Sequence, residues 1–251
     1  MPGDIVLYHG MASTCSKKVR LALYEKNLPF ESRLLDLQKF EQHAPDYLAL
    51  NPNGVVPTLV WKGRPVIESS IIIEFLDDAY PDIPLQPADP YALYEMRLWL
   101  KFSDNVAYNA VYAPTWTVLS KRAQDSFSED KLQAVLARIP TKERRERWET
   151  VAREGFSDKE LEDAYGKMRQ CLDRIEAAAA KRPWLAGETY SLADIAMIPF
   201  IDRIRNLRPE FLDASVYPGV NRWEAAMRAR PAFEKAFRFA DDPRAKELPN
   251  M

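Results

Sequence analysis

Short apolar runs alternate with amphipathic segments over the first third of the chain. The stretches DIVLYHG (4–10) and FESRLLDL (30–37) are rich in apolar and β-branched side chains and predict strands. Between them, TCSKKVRLALYEKN places Val19, Ala22 and Leu23 at helical spacing and predicts an amphipathic helix. Together the three segments predict a βαβ unit.

A second unit of the ββα kind is predicted to follow, up to about residue 80. EQHAPDYLAL predicts a short helical piece that Pro45 interrupts, and PTLVW and PVIES predict a hairpin across the turn KGR. SSIIIEFLDDAY predicts a helix that Ser69 caps. Its expected apolar stripe consists of Ile71, Ile72, Phe75 and Leu76.

Prolines at positions 81, 84, 87 and 90 end this pattern, because such a spacing cannot continue a helix and favours an extended connector. The remaining chain reads as long amphipathic helices, one of which begins at Ser191 with Asp194 three residues later, as in a capping box. The predicted fold class is therefore α/β plus all-α. We expect a first domain over residues 1–82, a linker over 83–90 and an all-helical domain over 91–251.

The charge balance argues against nucleic acid as a partner. The formal net charge is -2 and the isoelectric point is near 5.9, so no global basic field is present. The cluster KERRER (142–147) interleaves glutamates with its basic residues and predicts a solvated helix face.

The cysteines and histidines do not suggest a metal site. Cys15 and Cys171 are far apart and not at metal-ligand spacing, and the two histidines, His9 and His43, add few candidate ligands. His9 is expected to be a satisfied residue at a strand end. Neither a leader peptide nor an apolar segment of membrane-spanning length is recognisable, so we expect a cytoplasmic protein with no membrane partner.

Four features of the first domain suggest chemistry when they are taken together. Ser13 to Ser16 form a hydroxyl-rich helix start, where free N–H groups favour an anion such as a thiolate. A cis bond between Val56 and Pro57 would turn the Val56 backbone outward to pair with an extended peptide.

The other two features can recognise the ends of such a peptide. Glu68 and Ser69, between a strand and a helix, suit an α-amino and α-carboxylate pair, and Gln42 and His43 can reach a second carboxylate. The four features together predict a pocket for a small peptide with a thiol, an internal amide and two carboxylates.

The whole chain resembles cytosolic glutathione transferases of the serine type. The matching motifs are STCSKKVRLAL, NPNGVVPTL, ESSIIIEFL and SLADIAMIP, in the order and spacing of that family. The resemblance implies a thioredoxin-like N-terminal domain, a glutathione-transferase-type helical C-terminal domain, glutathione as co-substrate and a homodimer. It also implies the absence of a metal.

The resemblance assigns roles to individual residues. Ser13 would donate to the glutathione sulfur, with Thr14 in reserve, and the Val56 backbone, beside Pro57, would hold the cysteinyl part. Glu68 and Ser69 would bind the γ-glutamyl end, and Gln42 or His43 the glycyl carboxylate. Several classes carry a lysine just before the position of Val56, whereas this chain has Gly54 and Val55.

The second substrate is expected to bind against the helical domain. Tyr108, Tyr112 and Trp116 share one helix face that can wall an apolar pocket, with Met11 and Ala12 opposite. Residues 119–160 form a long insertion relative to a minimal family member. Its pattern IP...RW...AREGF is similar to that of bacterial relatives that cleave β-aryl ethers, a reaction in which glutathione thiolate expels a phenolate.

Three alternatives remain open from the sequence. The same pocket can serve a glutathione-dependent isomerase or a thiol reductase, and a protein that binds ligands without catalysis can keep the same fold. Cys15, which lies two residues after Ser13, is expected to be a packing residue, although a thiol at a helix start can also be reactive.

Overall fold

The computed structural model describes residues 4–124, 129–240, 242–248 and 250, and residues 125–128 of the predicted insertion lie outside that set. The described strands are β1 (Ile5–Gly10), β2 (Glu31–Leu35), β3 (Thr58–Trp61) and β4 (Arg64–Val66). The described α-helices are α1 (Thr14–Glu25), α2 (Pro45–Leu50), α3 (Ser69–Ala79), α4 (Pro90–Phe102), α5 (Tyr108–Gln124), α6 (Glu129–Leu136), α7 (Lys142–Glu154), α8 (Asp158–Ala179), α9 (Leu192–Leu207), α10 (Pro218–Arg228) and α11 (Pro231–Arg238).

The four strands form one sheet in the order β2-β1-β3-β4. β1 pairs in parallel with β2 across α1, and β3 pairs antiparallel with both β1 and β4. This arrangement confirms the predicted βαβ and ββα units. In the described chain beyond Val66, regular structure is helical apart from an isolated bridge between Trp184 and Gly187.

Helix α3 differs from the prediction in two details. Its N-cap is Glu68, whose side chain makes no capping hydrogen bond, so Ser69 is the first helical residue and not the cap. Ile72, Ile73 and Leu76 are buried, whereas Ile71 is 56% exposed, so the apolar stripe is rotated by one position from the expected one. The run of three isoleucines allowed either register, and the packing of α3 against α1 and α9 decides between them.

Helix α1 lies at the centre of the molecule and contacts α3, α9 and α11. Three of its side chains are cationic and buried, namely Lys17, Lys18 and Arg20. Buried cations must be paired, and here Lys17 pairs with Asp202 and Lys18 with Asp104, at 3.3 and 3.1 Å. Helix α1 is thereby fixed to the helical part of the chain.

The segment between α3 and α4 is held down by a buried ion pair. Lys26 Nζ lies 2.5 Å from Asp77 Oδ1 and also donates to the Ile83 carbonyl. Asp77 accepts the backbone N–H groups of Leu85 and Gln86. The proline-rich connector therefore follows a defined path over the end of α3.

Helices α4 and α5 are joined without a loop by a π-helical turn, Ser103–Ala107. Such turns widen the backbone locally and often occur at functional sites. This one places Asp104 at the cavity described below. No helix in the described ranges combines the length and the apolar character that crossing a membrane requires.

Candidate active site

A cavity of about 380 Å³ lies between the carboxyl end of β1 and the helical part of the chain. This volume is in the range of small-molecule sites. All thirteen residues that the sequence singled out for the site line it: Met11, Ala12, Ser13, Thr14, Gln42, His43, Val56, Pro57, Glu68, Ser69, Tyr108, Tyr112 and Trp116. The residues that the sequence assigned to one site therefore also lie together in the fold.

Ser13 is the N-cap of α1 and faces the cavity. Its Oγ accepts the Ser16 N–H at 3.2 Å, and its own hydroxyl proton has no acceptor among the described residues. The turn before it is fixed by Arg20, whose guanidinium donates to the carbonyls of Gly10 and Met11 at 3.1 Å. Ser13 is thus a positioned hydroxyl donor at the positive end of a helix, which suits an anion in the cavity.

Cys15 also lines the cavity but has the properties of a neutral thiol. Burial raises the pKa of the Cys15 thiol above its ordinary value, and the charge of Lys18 offsets this only in part. A thiol with a raised pKa is a poor nucleophile at neutral pH, because only the thiolate reacts. This supports the expectation that Ser13, and not Cys15, serves the chemistry.

The peptide bond between Val56 and Pro57 is cis. The preceding residue is anchored, because the Val55 carbonyl accepts the Tyr47 hydroxyl at 2.5 Å and the Asn51 amide at 2.9 Å. The Val56 N–H and C=O have no hydrogen-bond partner among the residues described. They are therefore available for an extended ligand.

Glu68 adopts a backbone conformation that is uncommon for a residue with a side chain, with φ of 69°. Such conformations cost of order 1–3 kcal/mol and concentrate at functional sites. Next to it, Ser69 contacts the Cys15 thiol, and Ser70 is bonded to Lys18 and Asp104 at 2.9 and 2.8 Å. This corner of the cavity presents two carboxylates, those of Glu68 and Asp104.

Gln42 and His43 are buried at the opposite end and have unused hydrogen-bonding atoms. Neither Gln42 Oε1 nor His43 Nδ1 has a partner among the described residues. Burial lowers the pKa of His43, and the nearby charge of Arg144 lowers it further. Buried polar atoms of this kind are normally satisfied, so these two indicate a polar ligand or water.

Gly54 holds this end of the cavity in shape. Its φ is +60°, and a Cβ there would lie 2.8 Å from His43 Cδ2 and 3.2 Å from Pro140 Cγ. We expect Gly54→Ala to lower the free energy of unfolding by about 2 kcal/mol, through strain and the clash together. We also expect it to weaken ligand binding at the Gln42 and His43 end.

Gly63→Ala is the matched control, because Gly63 has φ of +78° but nothing within 4 Å of the added carbon. Urea unfolding of both variants should show a loss of only about 1 kcal/mol for Gly63→Ala. Equal losses of stability in the two variants would contradict the expected clash between the Cβ of Gly54→Ala and the His43 side chain.

The aromatic wall consists of Tyr108, Tyr112 and Trp116, as predicted. Neighbouring ring centroids along it are 5.7 and 6.4 Å apart. Trp148, on α7, continues the wall and packs edge-on against Trp116 at 4.5 Å. The cavity is therefore suited to an aromatic molecule on this side.

The KERRER segment is largely exposed, as expected of a solvated helix face, but one of its residues also contributes to the cavity. Arg144 lines the cavity and donates to the Asn53 carbonyl. Trp148 follows one turn later on the same face of α7, so at least this part of the insertion closes the cavity. A signal was present in the sequence, since Trp148 is the large apolar residue in an otherwise charged segment.

Further cavity residues carried no local signal in the sequence. Arg203 of α9 donates to the Ala12 carbonyl at 2.5 Å, next to Ser13, and to Thr115 at 3.1 Å. Leu248 reaches the cavity from the C-terminal segment. Among the described residues, no cluster of three or more His, Cys, Asp or Glu side chains is arranged to bind a metal ion.

Two family models match the chain. The glutathione S-transferase N-terminal domain model matches residues 12–79 and the C-terminal domain model matches residues 143–226. Among curated proteins, LigF of Sphingobium sp. (strain NBRC 103272 / SYK-6) is 32% identical over 88% of this chain and 88% of its own length. Glutathione S-transferase U9 of Arabidopsis thaliana is 28% identical over 87% of this chain and 80% of its own length.

Solved structures agree with the sequence matches. The beta-etherase LigF from Sphingobium sp. strain SYK-6 superposes with a TM-score of 0.87 at 31% identity, over 94% of this chain and 100% of that one. A theta class glutathione S-transferase from Xanthomonas axonopodis pv. citri, solved with glutathione bound, gives a TM-score of 0.72 at 22% identity. That match covers 94% of this chain and 97% of the other.

Proposed function

Because the chain belongs to the glutathione S-transferase family, we propose that it uses glutathione to cleave β-aryl ethers of small aromatic molecules. The observation that carries the proposal is one cavity that the positioned hydroxyl of Ser13 lines together with the aromatic wall and Trp148. The similarity to a protein named beta-etherase supports the substrate class.

The residues present fit glutathione. The unpaired Val56 backbone suits its internal amide, and the Glu68 and Asp104 carboxylates suit its ammonium group. Ser69, at the start of α3, suits the adjacent carboxylate. The unused polar atoms of Gln42 and His43 suit the glycyl end.

Ser13 donates its free hydroxyl proton to the sulfur and stabilises the thiolate, with Thr14 as the neighbouring hydroxyl. Bound glutathione supplies the sulfur nucleophile, which displaces the aryloxy group as a phenolate and leaves a thioether. Met11, Ala12 and the aromatic wall hold the electrophile and exclude water.

A direct test combines the purified protein with glutathione and an α-aryloxy ketone whose leaving group is a fluorescent phenol. Release of the phenol, together with the thioether detected by mass spectrometry, is the expected result. A chlorodinitrobenzene assay run in parallel identifies a general transferase if it alone gives product. If neither product forms and calorimetry detects no glutathione binding, the proposed function is wrong. The remaining alternative is then a protein that binds ligands without catalysis.

We also propose that the protein is a homodimer in the cytoplasm, with the boundaries 1–82, 83–90 and 91–251 for its two domains and linker. Exposed apolar side chains on α3 and α4, namely Ile71, Tyr91, Tyr94 and Leu98, support association through that face. Both cysteines are free, as is usual in a reducing compartment. Sedimentation at micromolar concentration tests the dimer, and a monomer there would contradict it.

A further inference from the structure

The side of the cavity formed by α5 and α7 presents hydrogen-bond donors that face an apolar space. The hydroxyls of Tyr108 and Tyr112 have no hydrogen-bond partner among the described residues, and both residues line the cavity. Arg144 enters the same space from α7. A cation and two phenol hydroxyls without acceptors form a site suited to an anion.

Arg144 and Arg145 are the basic residues of α7 that have no carboxylate partner in the described part of the chain, and Arg145 is directed away from the cavity residues to the Ile139 carbonyl. Arg147 pairs with Glu160, Arg153 with Glu129, and Lys142 with Glu146. Arg144 has no ion pair within the described part of the chain, and its one protein acceptor there is the Asn53 carbonyl. Most of its guanidinium donors therefore remain free for a ligand.

The position of Arg144 is fixed from two sides. The bond to Asn53 ties its guanidinium to the loop before Gly54, and Trp148, one turn further along α7, packs against Trp116 and Phe40 at 4.5 and 6.3 Å. Arg144 thus lies where the aromatic wall meets the Gln42 and His43 end of the cavity. A side chain held in this way loses little conformational freedom when it binds an anion.

The charge of Arg144 influences both tyrosine hydroxyls. Burial raises the pKa of the Tyr112 hydroxyl, and the charge of Arg144 is the main influence that opposes this rise. For Tyr108, burial again raises the pKa, and Cys15 raises it further before Arg144 opposes the rise. Arg144 therefore lies on the same side of the cavity as both hydroxyls, and at Tyr112 its charge is the main influence that opposes burial.

We propose that Arg144 and Tyr112 bind the oxygen of the leaving group and stabilise it as an oxyanion when the ether is cleaved. This rests on the proposed function and names a further catalytic residue contributed by the insertion. The sulfur forms a bond to the carbon with its own electron pair, the carbon–oxygen bond breaks, and its electron pair departs on the phenolic oxygen. The phenolate then takes a proton from water, and no oxidant or reductant is needed.

The test compares Arg144→Gln with the wild type on α-aryloxy ketones whose leaving groups are 4-nitrophenoxide, phenoxide and 4-methoxyphenoxide, in single turnovers with saturating glutathione. The more basic the departing oxygen, the more charge it carries in the transition state and the more it needs the cation. We expect rate losses of about threefold for 4-nitrophenoxide and about thirtyfold for 4-methoxyphenoxide, and the larger loss is in the range of a charge-assisted hydrogen bond.

Lys142→Gln is the matched control, because it removes the same charge from the same helix at an exposed position paired with Glu146. It should leave all three rates unchanged. Equal losses for the three leaving groups in Arg144→Gln, accompanied by weaker glutathione binding, would overturn the proposal and place Arg144 on the glycyl carboxylate instead.

A binding measurement separates this proposal from the etherase function. At a pH just below the ordinary pKa of 4-nitrophenol, the ionised fraction of the bound molecule is read from its visible absorbance, with glutathione present. We expect the ionised fraction to rise on binding to the wild type and Lys142→Gln, and not on binding to Arg144→Gln. The same ionised fraction on all three proteins would overturn the oxyanion site, even if ethers are cleaved.

Discussion

Replacing Ser13 with alanine is expected to lower kcat/KM about a hundredfold, the usual consequence of removing one donor to a developing or bound anion. The reason is the position of the hydroxyl. Its oxygen is held by the Ser16 N–H at 3.2 Å, so its proton is free to stabilise a thiolate in the cavity. Glutathione affinity should change little, because the polar contacts at the two ends of the cavity remain.

The measurement is an ultraviolet titration of glutathione onto the wild type and Ser13→Ala, in which thiolate absorbance is followed near neutral pH. The wild type should show bound thiolate, and the variant should bind glutathione without it. Ser13 is also the N-cap of α1, so the variant is expected to lose about 1 kcal/mol of stability as well. Thermal unfolding should therefore accompany the titration, to show that the variant is folded.

Cys15→Ser is the control that distinguishes a transferase from a thiol reductase. The Cys15 thiol has a raised pKa because it is buried, so its removal should leave the thiolate signal and the transfer activity nearly unchanged. If activity is lost in Cys15→Ser and kept in Ser13→Ala, the thiol of Cys15 is the reacting group and the serine-type mechanism is wrong.

The predicted site residues that the fold places in one cavity have local signals in the sequence. The turn at Ser13 follows a strand and starts a helix, Pro57 enters a strand, and Tyr108, Tyr112 and Trp116 repeat every fourth residue. Each pattern fixes the local backbone through turn chemistry or helical period. Placing them in one cavity also required the βαβ and ββα topology, which the alternation of apolar runs provided.

The features that the sequence did not predict depend on contacts between residues that are far apart in the chain. Arg144 lies in a highly charged segment, and helical period alone could not show that one face of α7 turns inward. Its contact to Asn53 spans 91 residues. The register of α3 was ambiguous for a similar reason, because the side of the isoleucine run that is buried depends on packing against α1 and α9. In both cases, packing between distant segments selects one of the arrangements that the local sequence allows.

The second large effect is expected at Asp194, a buried residue in the capping box that starts α9. Its carboxylate accepts the backbone N–H groups of Leu185 and Ser191 at 3.0 Å, the Ser191 hydroxyl at 3.3 Å and the Trp223 indole at 2.8 Å. In Asp194→Asn an amide nitrogen must face one of these donors, so a buried donor loses its acceptor. We expect the free energy of unfolding to fall by about 2–4 kcal/mol.

Glu160→Gln is the matched control, because Ser157 and Glu160 form the same capping box at the start of α8 in an exposed position. Water can replace the lost interactions there, and the expected cost is below about 1 kcal/mol. Urea unfolding of the two variants at neutral pH measures the difference, and equal costs would contradict the role of burial at Asp194.

The two capping boxes should also respond to pH in opposite directions. Burial raises the pKa of Asp194 to about 6, from an ordinary value of 3.8, despite its four donors. Its contribution to stability is therefore full below pH 3.8 and is lost as the pH rises through 6. Asp194→Asn should accordingly lower the free energy of unfolding more at pH 5 than at pH 7.

The pKa of Glu160 is lowered, first by the hydrogen bond from the Ser157 backbone N–H. The contribution of Glu160 to stability is therefore present above its ordinary pKa of 4.5 and is lost at lower pH. The cost of Glu160→Gln should accordingly shrink on acidification. Costs that change in the same direction for both variants would show that the environments of the two carboxyl groups do not differ as described.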